Sequence, residues 1–473
     1  MAASPPKLSP AQPSSLHTER SLLPVGITTI LPDAAARVRG LEQTLLTGLG
    51  AWGYREIILP TFEYLDVLTP GLHSQVLEKG YQLTDRTTGR TLVLRPDATA
   101  QIARTVAMGM LGDALPLRIS YRTSVFRYEP EHVGRDREQL QIGVELIGVS
   151  GPAGDAEVLA LVIESLRRLG VKSFRISLGH VGFLQGLLRQ SGLSPADQAR
   201  AVQAAARRDI PELQTMVSAG GVSRASARAI LEAPELYGGK NVLTRGRVLA
   251  GRNRPVLAAL DRLEAVFRLL AAGGYEDYLL LDLGELRGFD YYDGIVFDVF
   301  AEGVGYEIGG GGRYDHLIGR FGRTVPSTGF AFDVDRLFRV LDAVDTALEP
   351  QGVDCLLAGP VAMTGAILST ANRLRAGGAR VVQGTPVDAG PEGLRASLDE
   401  ARRVRAGAIV WQGIPPLRPT EALLVSAPDR YRDLPSMSVP RLKQAGAQVL
   451  AAHDLDHAML GRARARRTET DAS

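Results

Sequence analysis

The chain has 473 residues, 45% hydrophobic and 22% charged, and its 54 basic and 52 acidic side chains leave a formal net charge of +2. Such a balance excludes the strong one-signed field that draws nucleic acid or a membrane surface, and the length allows roughly two to four domains. The single cysteine, Cys355, excludes an internal disulfide, and no run nears the roughly eighteen apolar residues of a membrane span.

The opening MAASPPKLSPAQPSS is rich in Pro and Ser and lacks the apolar stretch of a signal peptide, so 1–20 reads as a disordered tail. Over 33–52, Ala36, Val38, Leu41, Leu45, Leu46 and Leu49 recur at helical spacing, and Gly53 ends the pattern. REIILPTFEYLDVL begins as a strand with a proline at its edge, and YQLTDRTTGRTLVLRPD reads as a hairpin about a Thr-Gly turn. A helix follows from Thr99 to Met110. LRISYRTSVFRYEP and LQIGVELIGV are strands on either side of the polar loop EHVGRDREQ, an arrangement that can close over a ligand. A helix over 154–169 and the strand SFRISLGH come next.

Between 181 and 272 the chain turns to short helices rich in Ala, Leu and Arg, with no convincing strand, and this suggests a helical insertion. Strands return at YLLLDLGE, GIVFDVFA and VGYEIGGGGRYD, and STGFAFDVDRLFRVLDAV runs from strand into helix. Beyond Glu349, the strand-like VDCLLAGP, ARVVQGTP, AGAIVWQG, EALLVSAP and AQVLAAHD alternate with helical segments, as in a small α/β domain over 350–460. Cys355 falls in the first of these and reads as a core residue suited to a reducing, cytoplasmic compartment. RARARR lies in a second disordered tail, 461–473.

Four stretches carry the polar residues that chemistry needs: LRPDATAQIAR, FRYEPEHVGRDREQLQIGVE, RGFDYYDGIVF and GGGGRYDHL. Strand alternation puts Arg127 and Glu129 on one face, and Gln141, Gly143 and Glu145 on another, with the glycine leaving floor space between two polar groups. The same pattern also fits a salt-bridge network within a sheet. Tyr291 and Tyr292, adjacent in DYYDG, are expected on opposite sides of their strand, so that one reaches a site while the other packs in the core. GGGGRYD lacks the Lys-Ser/Thr of a nucleotide P-loop, and its glycines read as a thin wall against which a ligand can lie. The seven histidines show no metal-ligand spacing, and neither a GxSxG motif nor a cysteine pair is present. No cofactor is expected.

Taken in order, these stretches resemble the catalytic domain of histidyl-tRNA synthetase, a class II aminoacyl-tRNA synthetase, over roughly 22–345. FRYE is similar to motif 2, RGFDYYDG and GGRYD to the histidine-specific motifs, and GFAFDVDR to motif 3. LRPDATAQIAR, LGHVGFLQGLL, PELYGG and TGFAFDVDRL more closely resemble its paralogue family, the regulatory subunits of ATP phosphoribosyltransferase. The resemblance implies an α+β fold: a class II synthetase-like antiparallel sheet flanked by helices over 21–180 and 273–348, interrupted by the 181–272 insertion. It implies a cytoplasmic, non-catalytic partner of a short-form catalytic subunit in histidine biosynthesis, binding L-histidine for feedback inhibition. It also implies a homodimer, formed through about 33–62, within a hetero-oligomer.

Carried over by position, Asp97, Thr99 and Gln141 would hold the ammonium of histidine, and Glu145 and Tyr292 its imidazole. Tyr314, with Tyr291 beside Tyr292, would line the pocket, and Arg127 and Arg287 would face the carboxylate. A zwitterion with a polar ring wants acids at one end and arginine at the other, whatever the family. Three departures from the synthetase pattern stand out. Asp333 replaces a motif 3 glycine, with Asp335 in place of a glutamate and Arg336 kept. Asp97 replaces a glutamate. Residues 351–460 carry only twelve basic against ten acidic side chains, few for nucleic-acid binding. Asp333 argues against ATP activation unless it points away or pairs with Arg336. Arg287 keeps open the alternative of a working histidyl-tRNA synthetase, and a free-standing histidine-binding protein is a further possibility.

Overall fold

Alternation of apolar and polar residues along long strands builds a sheet with two unlike faces, and this decides where a site can form. The computed structural model describes residues 23–72, 74–112, 114–128, 137–285, 291–343, 352–388, 390–413, 415–418, 420–428, 438–451 and 454–461. The expected disordered tails (save Gly461), Glu129 and Arg287 lie outside these residues. The chain divides into two compact units, Met1–Glu349 and Pro350–Ser473.

In the first unit, helix α1 (Pro32–Ala51) starts with proline in its first turn and buries Val38, Leu41, Leu45 and Leu49 along one stripe. Strands β1 (Arg55–Ile57) and β2 (Phe62–Tyr64) and the short helices α2 (Leu65–Leu68) and α3 (Ser74–Glu78) follow. The expected hairpin forms from β3 (Gln82–Thr84) and β4 (Thr91–Leu94), and β4 also pairs with β2 to complete a three-stranded sheet. Helix α4 (Ala98–Ala107) is capped by Asp97, whose Oδ1 accepts the Ala100 N–H at 3.0 Å. Then come β5 (Leu117–Phe126), β6 (Glu138–Ile147), α5 (Pro152–Arg168) and β7 (Phe174–His180).

The insertion supplies α6 (Val181–Arg189), α7 (Pro195–Ala206), α8 (Ile210–Ala219), α9 (Arg224–Glu232), α10 (Asn241–Ala250) and α11 (Arg254–Ala272). It also holds a short strand, β8 (Tyr237–Gly238), which the sequence reading missed because two residues carry no alternation. Strands β9 (Leu279–Asp282), β10 (Ile295–Ala301), β11 (Glu307–Arg313) and β12 (Ser327–Asp333) and helix α12 (Val334–Ala343) complete the unit.

The large sheet has nine strands in the order β1-β5-β6-β12-β11-β10-β7-β9-β8. It is mainly antiparallel, as expected; β1 with β5 and β7 with β9 run parallel. One face is apolar: Ile142 and Val144 of β6, Phe330 and Phe332 of β12, and Ile176 and Leu178 of β7 pack with α1, α5, α6, α11 and α12 in one core. The other face carries Gln141, Gly143 and Glu145 beside Gly329, Ala331 and Asp333.

A buried ion-pair network ties this sheet to its helices. Arg313, at the end of β11, donates through Nε to Asp155 of α5 at 2.7 Å and through Nη1 to Asp315 at 2.9 Å. Arg262 of α11 donates to the other Asp155 oxygen at 3.0 Å. The Asp155 and Arg313 side chains are 1% and 4% exposed, so neither charge has water to fall back on.

The second unit has a five-stranded sheet, ordered β14 (Val381–Gln383), β13 (Cys355–Ala358), β15 (Ala408–Gln412), β16 (Glu421–Ser426) and β17 (Gln448–Ala451). Helices α13 (Thr364–Ala376), α14 (Pro391–Arg403) and α15 (Val439–Gln444) connect the strands. The strand-and-helix alternation read from the sequence is present. Cys355 is fully buried, and burial pushes its thiol up to about 12, the behaviour of a core side chain.

Removing one partner of a buried ion pair leaves the other charge uncompensated. Asp155→Ala is therefore expected to lower the unfolding free energy by about 3–5 kcal/mol. Denaturant titration checks this, and a loss below about 1 kcal/mol, the range of a surface pair, contradicts it.

Candidate functional site

The glycine-bearing face of the large sheet forms the floor of a cavity of about 550 Å³. In register, Gly329 of β12 lies opposite Glu145 of β6, Ala331 opposite Gly143 and Asp333 opposite Gln141. Two of these glycines have no room for a side chain. A Cβ on Gly329 would stand 1.9 Å from Glu145 Oε2, and one on Gly143 would stand 2.6 Å from the Tyr121 hydroxyl. The wall is the start of α4, with Asp97, Ala98 and Thr99, together with Tyr291, Tyr292 and Tyr314.

Glu145 anchors the deep end. It is 2% exposed and accepts hydrogen bonds from Thr99 Oγ1 at 2.7 Å and from the Tyr314 hydroxyl. Burial outweighs these two bonds and pushes its carboxyl up to about 8. The phenols of Tyr121, Tyr291 and Tyr314 lie well above their ordinary range, first through burial and then through neighbouring carboxylates. The hydroxyls therefore keep their protons. The rings of Tyr291, Tyr292 and Tyr314 cluster with centroids 4.7, 5.7 and 6.4 Å apart.

Next to this end, Asp97 accepts from the Tyr291 hydroxyl at 3.2 Å, and Arg127 Nη2 stands 3.9 Å from the same carboxylate. Arg127 Nε donates to the Pro96 carbonyl at 2.7 Å, which fixes the arginine at the rim. Glu307, Asp333 and Arg336 cluster four residues along β12 from Gly329, at the other end of the cavity, and Asp298, Lys79 and Gln139 also line it. Arg336 is closely held: Nη1 donates to Glu307 Oε1 at 2.6 Å, Nε lies 3.2 Å from Asp333 Oδ2, and its backbone N–H donates to Asp333 Oδ1 at 3.1 Å. Asp333 thus lines the cavity and pairs with Arg336 at once.

Asp97, Thr99, Arg127, Gln141, Glu145, Tyr291, Tyr292 and Tyr314, all singled out from the sequence, line this one cavity. Arg287 lies outside the described residues. Tyr291 and Tyr292 do not straddle a strand as expected; they precede β10, so strand alternation does not apply and both face the cavity. Sequence reasoning missed Tyr121, Lys79, Gln139, Asp298 and Glu307. Asp298, the one charge inside the apolar GIVFDVFA strand, carried a signal, whereas Tyr121 is revealed only by its register opposite Gly143. Among the described residues no group of three or more His, Cys, Asp or Glu could hold a metal ion.

The raised Glu145 carboxyl has a stability consequence. Between the ordinary carboxyl value and about 8, the folded chain holds a proton that the unfolded chain has released, so stability falls as pH rises. Relative to Glu145→Gln, which has no such proton to lose, the wild type should weaken across that window by up to about 1.4 kcal/mol per pH unit, then run parallel above it. Paired denaturant titrations from acid to alkaline pH measure the difference, and a constant gap would show that burial does not shift this group.

Comparison with known proteins agrees with this geometry. The family model for histidyl-tRNA synthetase matches residues 26–337. A protein of Moorella thermoacetica named ATP phosphoribosyltransferase regulatory subunit is 41% identical over 362 residues, 76% of this chain and 91% of its own. One of the same name from Syntrophotalea carbinolica is 39% identical over 343 residues, 72% of this chain and 80% of its own. A crystal structure titled as an ATP phosphoribosyltransferase regulatory subunit/histidyl-tRNA synthetase, from Bacillus halodurans, superposes with a TM-score of 0.68 at 29% identity, covering 76% of this chain and 92% of that one. By these relationships the chain belongs to the family of ATP phosphoribosyltransferase regulatory subunits, built on the histidyl-tRNA synthetase domain.

Proposed function

We propose that the cavity binds L-histidine and that the chain, without chemistry of its own, reports histidine to a short-form catalytic subunit of ATP phosphoribosyltransferase as feedback inhibition. The observation that carries this is the pairing of two unlike ends in one cavity. The deep end offers a buried carboxyl, hydroxyls and an amide, while the far end has its arginine already neutralised.

For a histidine zwitterion, the assignments carried over from the synthetase resemblance make chemical sense in this cavity. The ammonium meets the Asp97 carboxylate, the Gln141 amide and Thr99, whose hydroxyl donates to Glu145 and keeps its lone pairs for an incoming N–H. The imidazole meets Glu145 and Tyr292, with Tyr314 holding the carboxyl in place. The carboxylate lies toward Arg127, and the resemblance to the synthetase assigns Arg287 to it as a second arginine. This is a set of fixed partners for a small ligand, arranged before it arrives.

The far end supports a sensor over a synthetase. A triphosphate there would meet Glu307 and Asp333, while Arg336 already faces both of those carboxylates. One carboxylate about 4 Å from a phosphate costs about 4 kcal/mol at an effective dielectric near 20. Asp333, where the synthetase pattern has glycine, is partly offset by its pairing with Arg336, so its weight against ATP lies in occupying, together with Glu307, the arginine that a triphosphate would need. The intact amino-acid end keeps a working synthetase as the second reading, and histidine-dependent exchange of pyrophosphate into ATP separates the two.

A homodimer through about 33–62 is part of the proposal. Ile58, just after the edge strand β1 of the large sheet, is 89% exposed, and Phe62, on β2 of the three-stranded sheet, is 52% exposed, apolar surface that a second copy would cover. No helix among the described residues is long and apolar enough to cross a membrane.

Mixed with the catalytic subunit, the chain should change the transferase rate, and histidine should inhibit the mixture. Glu145→Gln should raise the histidine concentration for half-inhibition by about 10–100-fold while leaving the histidine-free rate of the mixture intact. A rate that responds neither to the chain nor to histidine contradicts the proposal.

A further inference from the structure

The cavity leaves one part of the chain without a role: the exposed side of α10 and the turn into α11, just after PELYGG. Between Glu235 and Asp261 the sequence has five basic residues and no acid: Lys240, Arg245, Arg247, Arg252 and Arg254. Arg247 is neutralised by Asp261 and Glu264, each at 2.7 Å. The other four are exposed and make no ion pair among the described residues. Asn241, Arg245, Val248 and Arg252 fall at helical spacing on the exposed side of α10 and just beyond it, and Val248 is 73% exposed. Tyr237, on the last strand of the large sheet, is 64% exposed.

This basic stripe runs into an apolar slot. Between α6 and the start of α11 lies a cavity of about 300 Å³ lined by His180, Gly182, Gly186, Asn253, Pro255 and Ala258, among others. Asn253 fastens its two sides, donating to the Gly186 carbonyl at 3.0 Å while capping α11 at Val256. His180 Nδ1 accepts the Gly182 N–H at 3.0 Å, so in the neutral ring Nε2 carries the proton. Arg252 and Arg254 flank Asn253, and the exposed Arg189, at the end of α6, also lines the slot, with Gln185 3.5 Å away and no carboxylate partner among the described residues.

We propose that this face docks an acidic surface of the catalytic subunit that inserts one apolar side chain into the slot between α6 and α11. The inference rests on the regulatory-subunit reading and names the surface that reading needs. Charge complementarity sets the partner's sign: arginines without counter-charges attract carboxylates and steer their approach. The apolar slot and the exposed Val248 and Tyr237 favour a protein over a nucleic acid, since a sugar-phosphate backbone has nothing to fill an apolar slot.

The test uses the full chain and the catalytic subunit, with assembly affinity measured by sedimentation at low and moderate salt. The pair Arg252→Glu and Arg254→Glu should weaken assembly at least about tenfold and flatten its salt dependence. Arg245→Glu, which leaves the start of α11 untouched, should act in the same direction, and Ala258→Phe, which fills the slot from an exposed position, should weaken assembly without changing its salt dependence. Histidine binding and thermal unfolding of each variant should match the wild type. Assembly unchanged in all variants overturns the inference and leaves the sensor reading standing. Unchanged assembly with loss of an RNA affinity that the wild type shows overturns it in favour of a nucleic-acid face. If the unaltered chain does not assemble at all, the regulatory-subunit reading itself fails.

Discussion

A carboxyl group buried in a sheet floor must be matched by everything around it, and Glu145 sets that requirement here. At 2% exposure it cannot rely on water, so its two oxygens are met by Thr99 and Tyr314. Each of those donors is positioned by structure further out. Thr99 lies in the first turn of α4, fixed by the Asp97 cap, and Tyr314 follows Arg313, which Asp155 clamps to α5. Gly329 has to be glycine because any side chain would stand where the carboxylate is. The ion pairs on the helical side and the hydrogen bonds on the cavity side thus hold one arrangement between them.

The same cavity has a second end with the opposite logic. There Arg336 faces Glu307 and Asp333, and the carboxylates outnumber it. Donors aimed at an anion would have to be available to the anion; here the guanidinium is already engaged. On the reading proposed here, one sheet offers a cradle for a small zwitterion and a surface poorly matched to a polyphosphate.

Much of this could be read from residues alone. QIGVE placed Gln141, Gly143 and Glu145 on one face because side chains alternate along a strand, and β6 does so. The helix at 33–52 and the Thr-Gly hairpin followed from spacing and turn chemistry. Where local pattern gave out, so did the reading. Tyr121 enters the site through its register against Gly143, a non-local fact. Tyr291 and Tyr292 broke the alternation rule because they sit before the strand, in a stretch whose conformation is set by packing against Tyr314 and Asp97. Strand β8 is only two residues long and owes its existence to β9 beside it. The pairing of Asp333 with Arg336 was one of two options that the sequence left open; the cap geometry at the start of α12 realises it without moving Asp333 out of the cavity.

Calorimetric titration of the isolated chain with L-histidine, and separately with ATP, tests the central claim most directly. The account predicts saturable heat with histidine at one site per chain and none with ATP at matched concentrations. Heat with ATP, or its absence with histidine, would contradict it.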